Sequence, residues 1–106
     1  MSIKLVLLKS GETVISDAKE LITPEKEKVI GYILNKPHKV NANRPVVFLA
    51  ESEDANAKDR TVEVTLSPWI LLTKSEDIPV PTDWVVTVVD PIDSVVEMYK
   101  EKVNGN

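Results

Sequence analysis

Apolar residues in this chain arrive in short β-branched runs, and nothing else in it limits the fold so much. Ile3–Leu8, Val29–Leu34, Val46–Leu49, Val62–Leu72 and Trp84–Val89 are separated by polar or turn-forming stretches. Val, Ile and Thr suit a pleated, half-buried surface. Runs of this size bounded by Gly, Pro, Asn and Ser have the pattern of strands. A small, mainly β domain is the expectation, with helical spacing appearing only near the end.

In the first run Ile3, Leu5 and Leu7 alternate onto one side. Lys9-Ser10-Gly11-Glu12 is a hairpin turn in which Gly11 is free to take positive φ, and Thr13–Ile22 is the returning strand. Thr23–Glu27 is a charged turn holding Pro24. Val29–Val40 is the next strand. Gly31 within it marks a bulge or sharp bend, and Pro37 an end, an edge or a bulge. Asn41–Pro45 reads as a loop, Val46–Leu49 as a short strand, and the polar stretch Glu51–Arg60 as a mobile loop. In Thr61–Lys74, Val62, Val64 and Leu66 share a face until Ser67-Pro68 interrupts. Ser75–Asp83, with Pro79 and Pro81, is an extended connector. Trp84–Val89 is apolar almost throughout, as a strand covered on both faces would be.

The C-terminal segment changes period. Ile92, Val95, Val96, Tyr99 and Val103 recur at helical spacing. Asp90 suits an N-cap, Pro91 the first helical position, and Asp93 the positive helix end. This predicts one domain over residues 1–106, with β structure over 1–90 and a helix over 91–104.

With 106 residues and no Cys, the chain has a modest core and no disulfides, so self-association is one route to further burial. Five apolar runs, Trp69, Trp84 and an apolar helix face together exceed what so small a domain encloses, which points the same way. Both Trp residues read as core or interface anchors. A formal net charge of −4 argues against a general polyanion binder. No apolar run approaches the roughly 20 residues of a membrane-spanning helix. The start, Met1-Ser2-Ile3-Lys4, enters a strand pattern without a signal-peptide cleavage site. A cytoplasmic protein without membrane partners is the expectation.

Catalytic machinery is sparse. His38 is the sole imidazole, no spacing of carboxylates around it suggests a metal, and no nucleophile elbow occurs. The expectation is a non-enzyme with no cofactor and no metal, its many carboxylates forming a solvated face. One segment is locally basic. From Val29 to Ala50 there is no acidic residue, while Lys36, Lys39 and Arg44 lie among Asn35, His38, Asn41 and Asn43. Amides and cations on a loop can read a base edge or hold a phosphate, and Tyr32 can stack on a base. The same residues also make an ordinary Asn-rich turn that satisfies its own backbone.

The Ile3-x-Leu5-x-Leu7 strand with its Leu8-Lys9-Ser10-Gly11-Glu12 turn is similar to the start of Sm-like proteins. The stretch from Gly31 to Asn41 resembles that family's first motif, a strand Gly followed ten positions later by Asn. The full length resembles a small phage-encoded member, notably in Leu34-Asn-Lys-Pro37 and from Ser67-Pro-Trp through Asp90-Pro91. The resemblance implies a strongly bent, five-stranded antiparallel barrel with, here, a C-terminal helix. It implies a homo-oligomeric ring closed by edge-strand pairing, binding single-stranded RNA in the cytoplasm (that of an infected host, if phage-encoded). Tyr32, Asn35, Lys36, His38, Lys39, Asn41 and Arg44 are then the candidate RNA contacts. The alternative is a structural or adaptor protein of phage assembly that binds protein and no nucleic acid. The family's usual Asp three positions before that Asn is replaced by His38, and its late-strand second motif has no counterpart.

Overall fold

The computed structural model describes residues 2–25, 27–43 and 63–104. Strands β1 (Ile3–Leu8), β2 (Thr13–Ile22), β3 (Val29–Asn43), β4 (Glu63–Pro68), β5 (Asp77–Pro81) and β6 (Val85–Val89) precede helix α1 (Asp93–Asn104). They form one antiparallel sheet in the order β4-β3-β2-β1-β6, with β5 also paired to β3. The mainly β expectation with a C-terminal helix holds. The expected closed five-stranded barrel does not: there are six strands, and no ladder joins β6 to β4 or β5 among the described residues.

The extra strand comes from the segment read as a connector. Asp77–Pro81 pairs with Gly31–Asn35. Pro79 and Pro81 are tolerated because β5 lies at an edge, where a missing N–H on the outer side breaks no ladder. β5 and β4 lie end to end along one side of β3: His38–Asn43 faces Glu63–Pro68, and Gly31–Asn35 faces β5. Only the 3-10 turn Thr82–Trp84 then separates β5, beside β3, from β6, beside β1. Four Cα steps reach at most about 14 Å. Four strand spacings in a flat sheet cover about 19 Å. The sheet is therefore bent, moderately and without closing.

Burial lies on both faces of the sheet. On one, Val6, Leu8, Val14, Ala18, Leu34 and Val80 pack together, with Trp69, Val85 and Val88 against them. On the other, Ile15, Leu66 and Tyr99 form a second cluster with Ile3, Leu5, Val40 and, from α1, Val95, Met98 and Val103. The period-2 alternation of strands produces this split: Val14 and Ile15 enter different clusters, as do Leu5 and Val6.

Three further expectations are corrected. Asn41 lies in β3 opposite Thr65, not in a loop, because β4 extends the ladder. Trp84 belongs to the 3-10 turn, and β6 is not covered on both faces: it forms the sheet's edge among the described residues, with Val86 and Val89 exposed. The helix starts at Asp93, beyond Pro91, and the carbonyl of Ile92 accepts its first bonds from Val95 and Val96. Asp90 pairs instead with Lys4 of β1. The expected strand Val46–Leu49 and loop Glu51–Arg60 lie outside the described residues, as does Arg44. No helix among the described residues is long and apolar enough to cross a membrane.

Candidate interaction site at the bulge of the third strand

Six of the seven candidate residues lie on β3, and a bulge in that strand decides where they point. Opposite Ile15 stands His38, and opposite Asp17 stands Asn35, so Ser16 alone faces Lys36 and Pro37. Pro37 has no N–H to give the ladder, and Lys36 adopts the left-handed region at φ 49°. The chain absorbs the extra residue here. It also changes partner here, from β5 to β4.

Every polar backbone group freed by the bulge finds a partner, as buried backbone requires. The Lys36 N–H donates to the Glu76 carbonyl at 2.7 Å, and the Pro37 carbonyl accepts from the Trp69 N–H at 3.1 Å. The hydroxyl of Ser16, wholly buried, donates to the Asn35 carbonyl at 2.9 Å. Tyr99 of α1, 1% exposed, brings its hydroxyl 2.8 Å from the Asn35 carbonyl and 3.1 Å from that of Lys36. That oxygen accepts in turn from the Asp17 N–H at 3.3 Å. His38, with its proton on Nδ1, donates to the Lys36 carbonyl at 2.9 Å. Its ring meets Tyr99 edge to face, with centroids 5.8 Å apart. Burial pushes the Tyr99 hydroxyl above its ordinary pKa of 10.0, and the nearby Asp17 carboxylate adds to this.

The arrangement separates the candidates and occupies most of their polar groups. Tyr32 packs against the cluster of Val6 and Leu34 and lines an open depression with Lys4, Lys19, Glu20 and Val88. Asn35 donates its amide to Asp77 at 2.8 Å. His38 is turned to the helix, whereas Lys39, one residue on, lies on the opposite face, 3.8 Å from Glu12. Asn41 donates its side-chain amide to Ser67 Oγ at 3.2 Å. Lys36 has no ion pair among the described residues. It borders a small cleft of about 160 Å³ with Pro37, His38, Pro68, Ile70 and Ile78, in the gap between the end of β4 and the start of β5.

The acid-free stretch of sequence is not acid-free in space. Asp17 and Glu20 of β2 pair with Asn35 and Tyr32, and Asp77 of β5 pairs with Asn35. Glu12, at the β1–β2 hairpin, accepts from Ser10 at 3.0 Å and from the Trp69 indole at 3.4 Å while facing Lys39. Sequence reasoning missed Ser16, Tyr99, Glu12 and Asp77 as partners of this segment. Tyr99 was legible as a core-facing helix residue, but nothing local reveals what its hydroxyl reaches.

A second surface is apolar. Trp84, Val86, Val89 and Ile92 are exposed along and beyond β6. Val86 is 58% exposed and is the residue skipped between the pairs Leu8↔Val85 and Leu7↔Thr87. The outer edge of β6, Val85-Val-Thr-Val-Val89, carries no Pro and no charge. Among the described residues no three His, Cys, Asp or Glu side chains converge as a metal site. No protein-family model and no curated protein matches the chain.

Proposed function

We propose that this chain is a non-enzymatic assembly module whose copies join into a homo-oligomeric ring through strand edges, as its resemblance to Sm-like proteins implies. The observation that carries this reading is the β6 edge. Among the described residues, these five, four Val and one Thr, end the sheet without the Pro, the charge or the cover that blunt the edges of monomeric proteins. β5, with its two prolines, is a blunted edge by comparison. At the far end, β4 presents the other free edge among the described residues. Joining β6 of one copy to β4 of the next is a head-to-tail contact, which closes into a ring when the rotation permits. Each main-chain hydrogen bond gained contributes about 0.5–1.5 kcal/mol net, and burying Val86 and Trp84 adds to it.

Val86→Pro tests this. Val86 has no partner on β1, so proline there spares that ladder while removing a donor and bulking the edge. The expected result is a fall to the single-chain mass of 11.8 kDa by light scattering, with the far-ultraviolet spectrum retained. An unchanged mass for both Val86→Pro and Val86→Lys would overturn the edge-pairing reading.

Of the two tasks open to such a ring, holding protein partners is favoured over holding RNA. Asp17, Glu20, Asp77 and Glu12 surround the basic segment, and Asn35, His38, Lys39 and Asn41 have polar groups engaged within the fold. Titration with labelled single-stranded RNA at low salt is expected to give no retention. Salt-dependent binding that weakens in Lys36→Ala would instead assign the ring to RNA.

A further inference from the structure

The cleft where β3 passes from β5 to β4 has unfavourable backbone on both sides. Lys36, at φ 49°, forms one wall, and Leu72, at φ 67°, lies in the turn that forms the other. Residues with a side chain rarely hold this left-handed conformation. Among the described residues only Glu27, in the β2–β3 turn, shares it, so two of the three flank one cleft. Such strain persists where the surroundings fix it, and it concentrates at functional sites. Here the surroundings do fix it. The Lys36 N–H donates to the Glu76 carbonyl, the Trp69 N–H to the Pro37 carbonyl, and the Ser75 N–H to Thr73 Oγ1. The space measures about 160 Å³. Pro68, Ile70 and Ile78 give it an apolar surface, while Lys36, His38, Thr73, Ser75 and Glu76 bring polar groups. An apolar recess with a few convergent polar groups is the make-up of a small-molecule site, and this volume suits a ligand well below drug size.

We infer that this cleft binds a small aliphatic α-amino acid as its zwitterion. Charge decides the ligand class. Lys36 and Glu76 are joined through their backbones at 2.7 Å, yet neither side chain takes part in an ion pair among the described residues. Both line the cleft. A ligand of one sign would meet one of these charges favourably and the other unfavourably. A zwitterion satisfies both: its carboxylate meets the Lys36 ammonium, and its ammonium meets the Glu76 carboxylate. Its side chain then covers Ile70 and Ile78. His38 adds an acceptor, because its Nδ1 proton is spent on the Lys36 carbonyl and Nε2 keeps its lone pair. The bulge is what brings Lys36 here, as bulges re-aim side chains. This site is independent of the edges through which copies join.

Proton NMR titration of the full chain at fixed pH tests the inference. His38 is the reporter, since no other His is present and its ring protons are unique. Three probes share one aliphatic body: L-valine, 3-methylbutanoate, which lacks the ammonium, and 2-methylpropylamine, which lacks the carboxylate. L-valine is expected to move the His38 signals saturably, with Kd on the order of 1 mM for so small a ligand. Each singly charged probe is expected to bind about tenfold more weakly or worse, having lost one charge-assisted contact. Glu76→Gln, a change of an exposed side chain, is expected to weaken L-valine to the level of 3-methylbutanoate. Lys36→Met is expected to weaken it to the level of the amine. Should Lys36→Met disturb the bulge, Glu76→Gln alone decides. The absence of a saturable shift with L-valine up to about 50 mM would refute the site. Equal binding of L-valine and 3-methylbutanoate, or L-valine binding unchanged in Glu76→Gln, would overturn the zwitterion assignment.

Discussion

Tyr99→Ala is expected to destabilise the fold by about 3–5 kcal/mol, the range for removing a large buried ring, and to release α1 from the sheet. Tyr99 is the one α1 residue that is fully buried, and it ties the helix to the sheet through both its ring and its hydroxyl. Its ring packs with Ile15 and Leu66 and meets His38 edge to face. Its hydroxyl joins the Asp17 N–H to the Asn35 and Lys36 carbonyls where the bulge begins. Tyr99→Phe separates the two roles. Ser16 and His38 still donate to the Asn35 and Lys36 carbonyls, so only the Tyr99 bonds are lost, at a cost of about 1–2 kcal/mol. Urea unfolding at fixed protein concentration measures both. A pH dependence follows from the same group. Its pKa is raised on folding, so the folded state holds the proton more tightly than the unfolded chain does. That contribution is fully present below the unfolded value near 10.0 and is lost as pH climbs above it, through the folded pKa. Alkaline loss of stability should therefore be blunted in Tyr99→Phe. Equal alkaline sensitivity of the two proteins would remove Tyr99 as its source.

Gly31→Ala is the second large effect, and it acts on β5. A Cβ on residue 31 would stand 2.7 Å from the carbonyl oxygen of Val80, a backbone atom that cannot swing aside. β5 must then leave its register opposite Gly31–Asn35, and Val80 must leave the core. Overpacking together with lost burial of one valine is expected to cost about 2–4 kcal/mol. Gly11 offers the contrast. It has φ 93° but open space where a Cβ would go, so Gly11→Ala strains the backbone without displacing a neighbour. Hydrogen exchange should show the Ile78 and Val80 amides losing protection in Gly31→Ala and keeping it in Gly11→Ala. Retained protection at β5 in Gly31→Ala would contradict the close approach.

Local pattern made much of the fold legible. Alternation and the Gly11 turn define the β1–β2 hairpin, Ile3–Leu8 with Thr13–Ile22, and the structure returns those bounds. Gly31 and Pro37 flag irregularity in β3, and the ladder shifts register next to each. β5 was illegible for a tertiary reason. Two prolines argue against a strand unless it lies at an edge, and only sheet order reveals an edge. The same holds for β6, whose unbroken apolar run suits a buried strand as well as an edge that awaits a partner. The basic segment was misleading because linear sequence omits cross-strand neighbours. Asp17, Glu20 and Asp77 are distant in the chain but adjacent across the ladder. Asp90 and Pro91 look like a helix start in isolation, yet Lys4 claims the carboxylate and the helix begins two residues later.

The most direct test of an edge-joined assembly is the mass of the chain in solution, by light scattering after gel filtration, beside that of Val86→Pro. The account predicts three or more times 11.8 kDa for the original sequence and one chain for the variant. A single-chain mass for the original sequence across a dilution series would contradict it.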